Sequence, residues 1–322
     1  GVPGRLARDN AARNPKRTAT TATSLLIGVA LVGFITIFAA STKASIGSVL
    51  ENQFSADFIL SGGSGFGPPR PISPALADEV AALPEVEASS GLRFGTVSIE
   101  GKSEFVNAID PVAAQTVLEL GDVEGSFADL TDEGIGVSER KALENSWKVG
   151  DTVPVEFVAS GVQPVKVQFV YTETTFGDYF ITLGSWDRNF VQRVDNFIFT
   201  KLRPGVSAED GRLAIEELLV DYPAVSLRDN AEYRAEQEAQ VDQLVRIVYA
   251  LLLMALIIAL IGIANTLALS IHERVHELGL LRAVGMTRSQ IRSAVRWESV
   301  IIALLGALLG LVIGLLFGWS VV

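Results

Sequence analysis

Three long stretches without a charged residue or a histidine constrain the fold of this chain more than any other feature. They cover residues 18–42, 247–271 and 299–322, and each contains 24 or 25 residues. A helix of about 20 mostly apolar residues crosses the hydrocarbon core of a bilayer, so the sequence predicts three transmembrane helices with these bounds. A signal peptide is the weaker alternative for the first stretch, because its apolar part is too long and no convincing cleavage site follows it.

The distribution of charge predicts the orientation in the membrane. Residues 1–17 carry five Lys/Arg and one Asp, and residues 272–298 carry five Arg and three Glu, whereas residues 43–246 carry 16 Lys/Arg against 33 Asp/Glu. Short positive segments stay in the cytoplasm, and long domains cross the membrane largely regardless of charge. We therefore expect both positive segments to be cytoplasmic and the acidic domain to lie outside. So acidic a domain is not expected to bind nucleic acid.

The segments beside the predicted spans have helical patterns of their own. Residues 1–17 are expected to form a cytoplasmic interfacial helix on membrane lipid, and an ordinary positively charged flank is the open alternative. Residues 43–54 keep the helical spacing of apolar side chains after the first span, and residues 231–245 run without Pro or Gly into the second. We expect both helices to continue out of the membrane as a stalk.

The predicted external domain mixes strands and helices. A strand–helix–strand pattern stands at each of its ends, with a β-rich insertion between them. The predicted strands are 56–61, 91–100, 104–109, 152–159, 165–172, 179–183, 196–201 and 224–227, and the predicted helices are 74–83 (with Ser73 as N-cap), 138–144 and 208–220. The sequence therefore predicts an α+β extracytoplasmic domain that carries a β-rich subdomain.

The external segment lacks the residues of common catalytic sites. The chain contains no cysteine, and both of its histidines lie in the predicted cytoplasmic loop. Ser-His-Asp and Cys-His arrangements are therefore excluded from residues 43–246. The glycine-rich residues 62–67 lack the Gly-Lys-Ser/Thr ending of a nucleotide-binding loop and are expected to form a loop tip. We expect no catalytic residue, no metal and no cofactor in this chain.

One zinc-binding pattern occurs in the cytoplasmic loop as a weaker alternative. His272-Glu273-Arg274-Val275-His276 matches H-E-x-x-H, in which two histidines bind zinc and the glutamate activates a water molecule. Glu298 has the spacing of a third ligand. So short a loop offers little chain to build a substrate cleft, and polar residues also favour the end of a membrane helix.

The rest of that loop predicts a helix–turn–helix. Gly285 can supply the left-handed turn that ends the first helix. Thr287 and Gln290 have the spacing of a capping box that begins the second helix. This second helix carries Arg288, Arg292 and Arg296 at intervals of four, which places a basic stripe on one face.

These residues resemble a known family. The segment from Glu277 to Thr287, followed by Gln290-Ile291, is similar to the cytoplasmic loop of FtsX-like/MacB-like ABC transporter permeases. Three further stretches resemble the same family: residues 8–18, its pre-membrane helix; residues 134–151, its extracytoplasmic domain; and residues 263–266, its second membrane helix. The resemblance implies a multi-pass protein of the bacterial inner or plasma membrane with a cytoplasmic N-terminus.

The resemblance also implies function and partners. In this family the loop docks onto a separate cytoplasmic ABC ATPase, which binds ATP and Mg and drives movement of the external domain. The coupling residues implied here are Glu277, Leu278, Gly279, Leu281, Arg282, Ala283, Gly285, Thr287, Gln290 and Ile291. A second permease half is expected to complete a dimer or pseudo-dimer, and an extracytoplasmic protein is a further candidate partner. The expected cargo is an amphiphilic, peptide or lipoprotein-like substrate; a non-transporting regulator of a cell-wall hydrolase, or a peptide sensor, is the alternative.

Small residues predict how the membrane helices pack. Gly306, Gly310, Gly314 and Gly318 form a continuous small face on the third helix, and Asn265 places a polar group within the second. The family has four membrane helices, so a fourth is expected beyond Val322, in one repeat of a larger permease or in a truncated form. The predicted fold is an α-helical transmembrane bundle, with three helices present and the fourth missing, and an α+β extracytoplasmic domain on a helical stalk.

Overall fold

The computed structural model describes residues 15–52, 55–63, 69–273, 275–283 and 285–321. The chain divides into a helical unit, Gly1–Ala44 and Ala239–Val322, and a sheet unit, Ser45–Glu238. The described helices are α1 (Pro15–Asn52), α2 (Pro74–Ala81), α3 (Pro111–Val117), α4 (Glu139–Asn145), α5 (Leu183–Asn189), α6 (Ala208–Leu219), α7 (Asn230–Glu273), α8 (Val275–Ala283) and α9 (Arg288–Val321). The described strands are β1 (Phe58–Gly62), β2 (Val86–Ile99), β3 (Lys102–Ile109), β4 (Asp122–Glu124), β5 (Gly134–Ser138), β6 (Thr152–Phe157), β7 (Gly161–Tyr171), β8 (Tyr179–Thr182), β9 (Phe197–Leu202) and β10 (Val225–Asp229).

Three of these helices contain segments that are long and apolar enough to cross a membrane: Leu25–Gly47 in α1, Asn230–Gly262 in α7 and Arg288–Val321 in α9. Each helix extends beyond the uncharged stretch that predicted it. The extensions of α1 to Asn52 and of α7 from Asn230 confirm the helical segments predicted after the first span, over residues 43–52, and before the second; residues 53–54 lie outside the described part of the chain. The predicted interfacial helix lies outside the described residues up to position 14, and the described part of α1 begins at Pro15.

The sheet unit is built on one ten-stranded mixed sheet with the order β10-β1-β9-β2-β3-β8-β5-β7-β4, and β6 pairs with β2 and β7. The long strand β2 joins its two parts, since residues 86–92 pair with β9 and residues 93–99 pair with β3. At this joint the buried Arg93 donates to Asp195 over 2.7 Å. The predicted α+β domain and its β-rich insertion are confirmed.

The two predicted strand–helix–strand units are β1-α2-β2 and β9-α6-β10, and their strands are neighbours in one part of the sheet. Leu76 and Val80 of α2 and Ile215 of α6 are buried against Phe58 and Leu60 of β1. Ser73 has the N-cap position of α2 as predicted, but its side chain makes no capping hydrogen bond.

Several short elements were not predicted from the sequence. The helices α3 and α5 have seven residues each, and their starts are set by Asp110, which accepts from the backbone N–H groups of Val112 and Ala113, and by Thr182, which accepts from Ser185. β5 is wholly buried and pairs in parallel with β7. Its five residues therefore show no alternation of apolar and polar side chains, which is the signal that identifies a half-buried strand.

Candidate functional site

The turn between α8 and α9 has the geometry that the sequence predicts. α8 ends at Ala283, and Gly285 has a φ of 107°, a left-handed conformation that side chains disfavour. The backbone N–H of Gly285 donates to the carbonyl of Arg282 over 3.1 Å. A Cβ atom at Gly285 would meet nothing within 4 Å. Glycine is therefore required here by the backbone conformation and not by lack of space.

The start of α9 is fixed by a capping box. The backbone N–H of Thr287 donates to Oε1 of Gln290 over 2.9 Å, and the backbone N–H of Gln290 donates to Oγ1 of Thr287 over 3.3 Å. The two side chains thus satisfy backbone donors that a helix start leaves open. We call the segment from α8 to this cap, residues 275–291, the knuckle.

The residues predicted to contact an ATPase lie along the knuckle. Most of those whose side chains are described are exposed, and Ile291 is half-buried. The exposed ones are Gly279, Arg282, Ala283, Gly285, Thr287 and Gln290. Glu277, Leu278 and Leu281 belong to α8. The structure therefore brings the predicted coupling residues together on two short helical segments and the turn between them, and their docking role stays a prediction.

The basic stripe lies at the start of α9. Arg288, Arg292 and Arg296 are exposed on one face. Together with Ser289 and Ser293 they line a concave surface of about 510 Å³.

The glycine face of α9 packs on the backbone of α1. A Cβ atom added to Gly306 would lie 2.7 Å from the carbonyl oxygen of Ala22, and one added to Gly310 would lie 2.6 Å from that of Leu26. Gly314 has the same relation to Ala30, at 2.6 Å. At Gly318 the close neighbour is the side chain of Ile37, at 2.5 Å. Only glycine lets the two helices approach this closely.

Polar contacts that the sequence analysis missed join α1 to α7. The hydroxyl groups of Thr36 and Tyr249 are 2.6 Å apart, and Nζ of Lys43 donates to Oδ1 of Asp242 over 2.6 Å. Neither pair has a signal in the sequence, because their members are about two hundred residues apart. Asn265 occupies an exposed position of α7, and its predicted role in helix packing stays a prediction.

A groove of about 540 Å³ crosses the sheet unit beside the start of α7. Its apolar lining residues are Leu92, Phe94, Phe105, Phe176, Phe197, Phe199 and Tyr233. Phe197 stacks on Phe199 with ring centroids 6.2 Å apart and meets Tyr233 edge to face at 6.5 Å. Phe105 leaves 65% of its surface exposed. Concave sites of this size, mostly apolar with a few polar groups, are typical of ligand pockets.

One rim of the groove carries two carboxylates that are ion-paired. Glu104 accepts from Nζ of Lys141 over 2.6 Å, and Asp178 accepts from the hydroxyl of Ser138 over 2.6 Å and also pairs with Arg140. Burial raises the pKa of the neighbouring Tyr179 well above its ordinary value, and the negative charges of Glu104 and Asp178 raise it further. The groove therefore combines an aromatic floor with hydrogen-bonding groups at its edge.

The structure also locates the members of the zinc pattern. His272 lies in the last turn of α7 and His276 lies in α8, and both side chains are exposed, whereas Glu298 is buried on α9. Among the residues that the structure describes, no three or more histidine, cysteine, aspartate or glutamate side chains are grouped so that they could hold a metal ion.

The described part of the chain combines apolar helices long enough to cross a membrane with a large mixed-sheet domain. Two family descriptions match the chain: a MacB-like periplasmic core domain over residues 18–218, and the C-terminal part of an FtsX-like permease over residues 249–322. The chain therefore belongs to the FtsX-like/MacB-like family of ABC transporter permeases, as its sequence motifs indicate.

Two curated relatives agree with this assignment. The chain is 23% identical over 317 residues to the macrolide export ATP-binding/permease protein MacB of Agrobacterium fabrum, covering 90% of this chain and 48% of the relative. It is 24% identical over 333 residues to the pyoverdine export ATP-binding/permease protein PvdT of Pseudomonas savastanoi pv. phaseolicola, covering 91% and 48%. The crystal structure of the periplasmic region of MacB from Actinobacillus actinomycetemcomitans covers 60% of this chain and 98% of its own, with 13% identity and a TM-score of 0.47.

The chain thus spans about half the length of the curated relatives it matches. The names of both relatives combine ATP binding with a permease and describe exporters. These matches favour an ABC transporter permease over the two alternatives from the sequence, a zinc protease and a non-transporting regulator.

Proposed function

We propose that this chain transmits ATP-driven motion from a separate cytoplasmic ABC ATPase to its extracytoplasmic domain, and that it thereby exports or extracts an amphiphilic, peptide or lipoprotein-like substrate. The observation that supports the coupling step is the knuckle. Its turn is set by the φ of Gly285, and its second helix is fixed by the reciprocal hydrogen bonds of Thr287 and Gln290. A turn held in this way can pass a push or a pull from a docked partner to α9 without first unwinding.

The proposed orientation follows from charge. The positive segments 1–17 and 272–298 face the cytoplasm, where the ATPase binds ATP and Mg, and the acidic domain lies outside. A second permease half completes the complex. The close approach of α1 and α9 along the glycine face makes these two helices move together, so that motion of the knuckle reaches α1 as well.

The aromatic groove of the sheet unit supports the amphiphilic class of substrate. Its floor offers apolar contact area, and Ser103, Thr174 and Thr175 add hydroxyl groups to its lining. A molecule with an apolar part and a polar part can use both surfaces at once.

The coupling proposal is tested with the variants Arg282→Ala and Gly285→Val in the full chain, expressed together with the ATPase that copurifies with the wild type. Arg282→Ala removes an exposed charge from the docking surface, and Gly285→Val forces a left-handed conformation on a β-branched residue. We expect both variants to insert in the membrane and to lose substrate-stimulated ATP hydrolysis. Arg193→Ala, which removes another exposed arginine, from the sheet unit, is the control. Normal stimulation in both knuckle variants would refute the docking proposal.

A further inference from the structure

The three arginines of the basic stripe on α9 are not among the proposed coupling residues. Arg288, Arg292 and Arg296 are exposed, and none of them has an ion-pair partner among the residues that the structure describes. Ser289 and Ser293 add two hydroxyl groups to the same concave surface, and no carboxylate is found among its described lining residues. The surface therefore concentrates positive charge and hydrogen-bond donors, a combination that fits a phosphate group.

The position of the stripe relates it to the membrane boundary. Arg296 precedes the uncharged stretch that begins at Ser299 by three residues, or roughly 4.5 Å along the helix, and Arg288 lies about 12 Å further from that stretch. The polar headgroup layer on each side of the hydrocarbon core is about 5–7 Å thick. Trp297 is 52% exposed, and tryptophan is enriched at this boundary. The stripe thus starts within the headgroup layer and extends out of it.

We propose that this face binds the phosphate groups of anionic membrane lipids. A guanidinium group binds phosphate through two parallel hydrogen bonds, and side chains on a helix point toward its N-terminus, here away from the hydrocarbon core. Lipid is favoured over an acidic protein surface because the stripe adjoins the apolar part of α9, whereas most of the predicted docking residues precede the stripe, in α8 and the turn; only Gln290 and Ile291 lie beside Arg288. The inference rests on the membrane placement of the proposed function and is independent of ATPase docking.

The test uses the full chain in nanodiscs of phosphatidylcholine and phosphatidylglycerol. Native mass spectrometry then counts the lipid molecules that stay bound to the protein after it is released from the nanodisc. We expect the wild type to retain phosphatidylglycerol selectively. Each arginine replaced by glutamine should weaken this selectivity about fivefold, from the usual attraction between one basic residue and an anionic leaflet. The matched control replaces three exposed, charged arginines of the sheet unit, Arg70→Gln, Arg188→Gln and Arg193→Gln, and should retain lipid as the wild type does.

Two further measurements distinguish lipid binding from binding of free phosphate and from docking of a protein. Added inorganic phosphate should not displace the lipid; displacement would identify a site for free phosphate and overturn the proposal. Unchanged lipid retention in the variant Arg288→Gln/Arg292→Gln/Arg296→Gln would also overturn it, and a simultaneous loss of ATPase copurification would identify a protein-docking face. Arg282→Ala should retain lipid normally, so that failure of ATPase docking and failure of lipid binding give different results.

Discussion

The four glycines of α9 show how single residues decide helix packing. Their spacing of four is visible in the sequence, but the surface that they contact is not. In the structure Gly306, Gly310 and Gly314 face the carbonyl oxygens of α1, where a glycine Cα–H group can approach an acceptor and where even one methyl group would collide. The face therefore serves to bring two backbones together.

Gly310→Val is expected to destabilise the helical unit by about 1–3 kcal/mol, because its Cβ atom would lie 2.6 Å from the carbonyl oxygen of Leu26 and α1 would have to move. Gly28→Val is the matched control, since a Cβ atom at Gly28 meets nothing within 4 Å. Thermal unfolding of the purified full chain in detergent measures the stability of both variants. Equal midpoints for the two variants would contradict the packing argument.

At the scale of the element, the start of α7 is held by a set of charges. The backbone N–H of Asp229 donates to Glu232 over 2.9 Å, and the backbone N–H of Glu232 donates to Asp229 over 2.8 Å. Arg212 of α6 bonds to Glu232 over 2.6 Å and to Asp229 over 3.2 Å. The spacing of Asp229 and Glu232 is that of a capping box, a signal that the sequence analysis overlooked.

This cap predicts a pH-dependent stability. The hydrogen bond from Arg212 lowers the pKa of Glu232 below its ordinary value of 4.5, with a further contribution from the backbone N–H of Asp229. The native state therefore favours the ionised carboxylate. Its stabilising contribution is complete above pH 4.5 and is lost as the pH falls through the lowered pKa.

Glu232→Gln keeps a side-chain oxygen for the cap but removes the charge that pairs with Arg212. It should consequently lower the stability of the full chain near neutral pH by about 0.5 kcal/mol, the usual contribution of an exposed ion pair. The difference from the wild type should vanish in acid below the native pKa of Glu232. Thermal unfolding midpoints across this pH range provide the measurement, with the exposed Glu217→Gln of α6 as the control. If the difference in midpoint between the wild type and Glu232→Gln does not change with pH, the charge of Glu232 is irrelevant to the cap.

At the scale of the whole molecule, the aromatic groove is built by segments that are far apart in the chain. Phe94 comes from β2, Phe105 from β3, Phe176 from the loop before β8, Phe197 from β9 and Tyr233 from α7. In the sequence, none of these aromatic residues by itself differs from an ordinary core or surface residue. Only the strand order, which places β9, β2 and β3 side by side, brings them to one groove.

Phe105→Ala should weaken binding of an uncharged aromatic amphiphile to the full chain about fivefold, because the exposed ring supplies contact area without supporting the core. Fluorescence titration with N-phenylnaphthylamine in nanodiscs measures the Kd, after subtraction of the signal from empty nanodiscs. Val112→Ala removes a side chain that is 73% exposed and lies outside the groove, and it should bind as the wild type does. The same Kd in both variants would exclude the groove as the binding site.

The sequence by itself determined the features that depend on neighbouring residues. Uncharged apolar stretches specify membrane helices because an unpaired backbone group or charge is costly in hydrocarbon. Gly285, Thr287 and Gln290 specify the knuckle because a left-handed glycine and a capping box act within one turn of chain. The tertiary structure decided what the glycines of α9 contact, where the short buried strand β5 pairs and how the groove is assembled. These features join residues distant in sequence, and their energies depend on packing that no local pattern records.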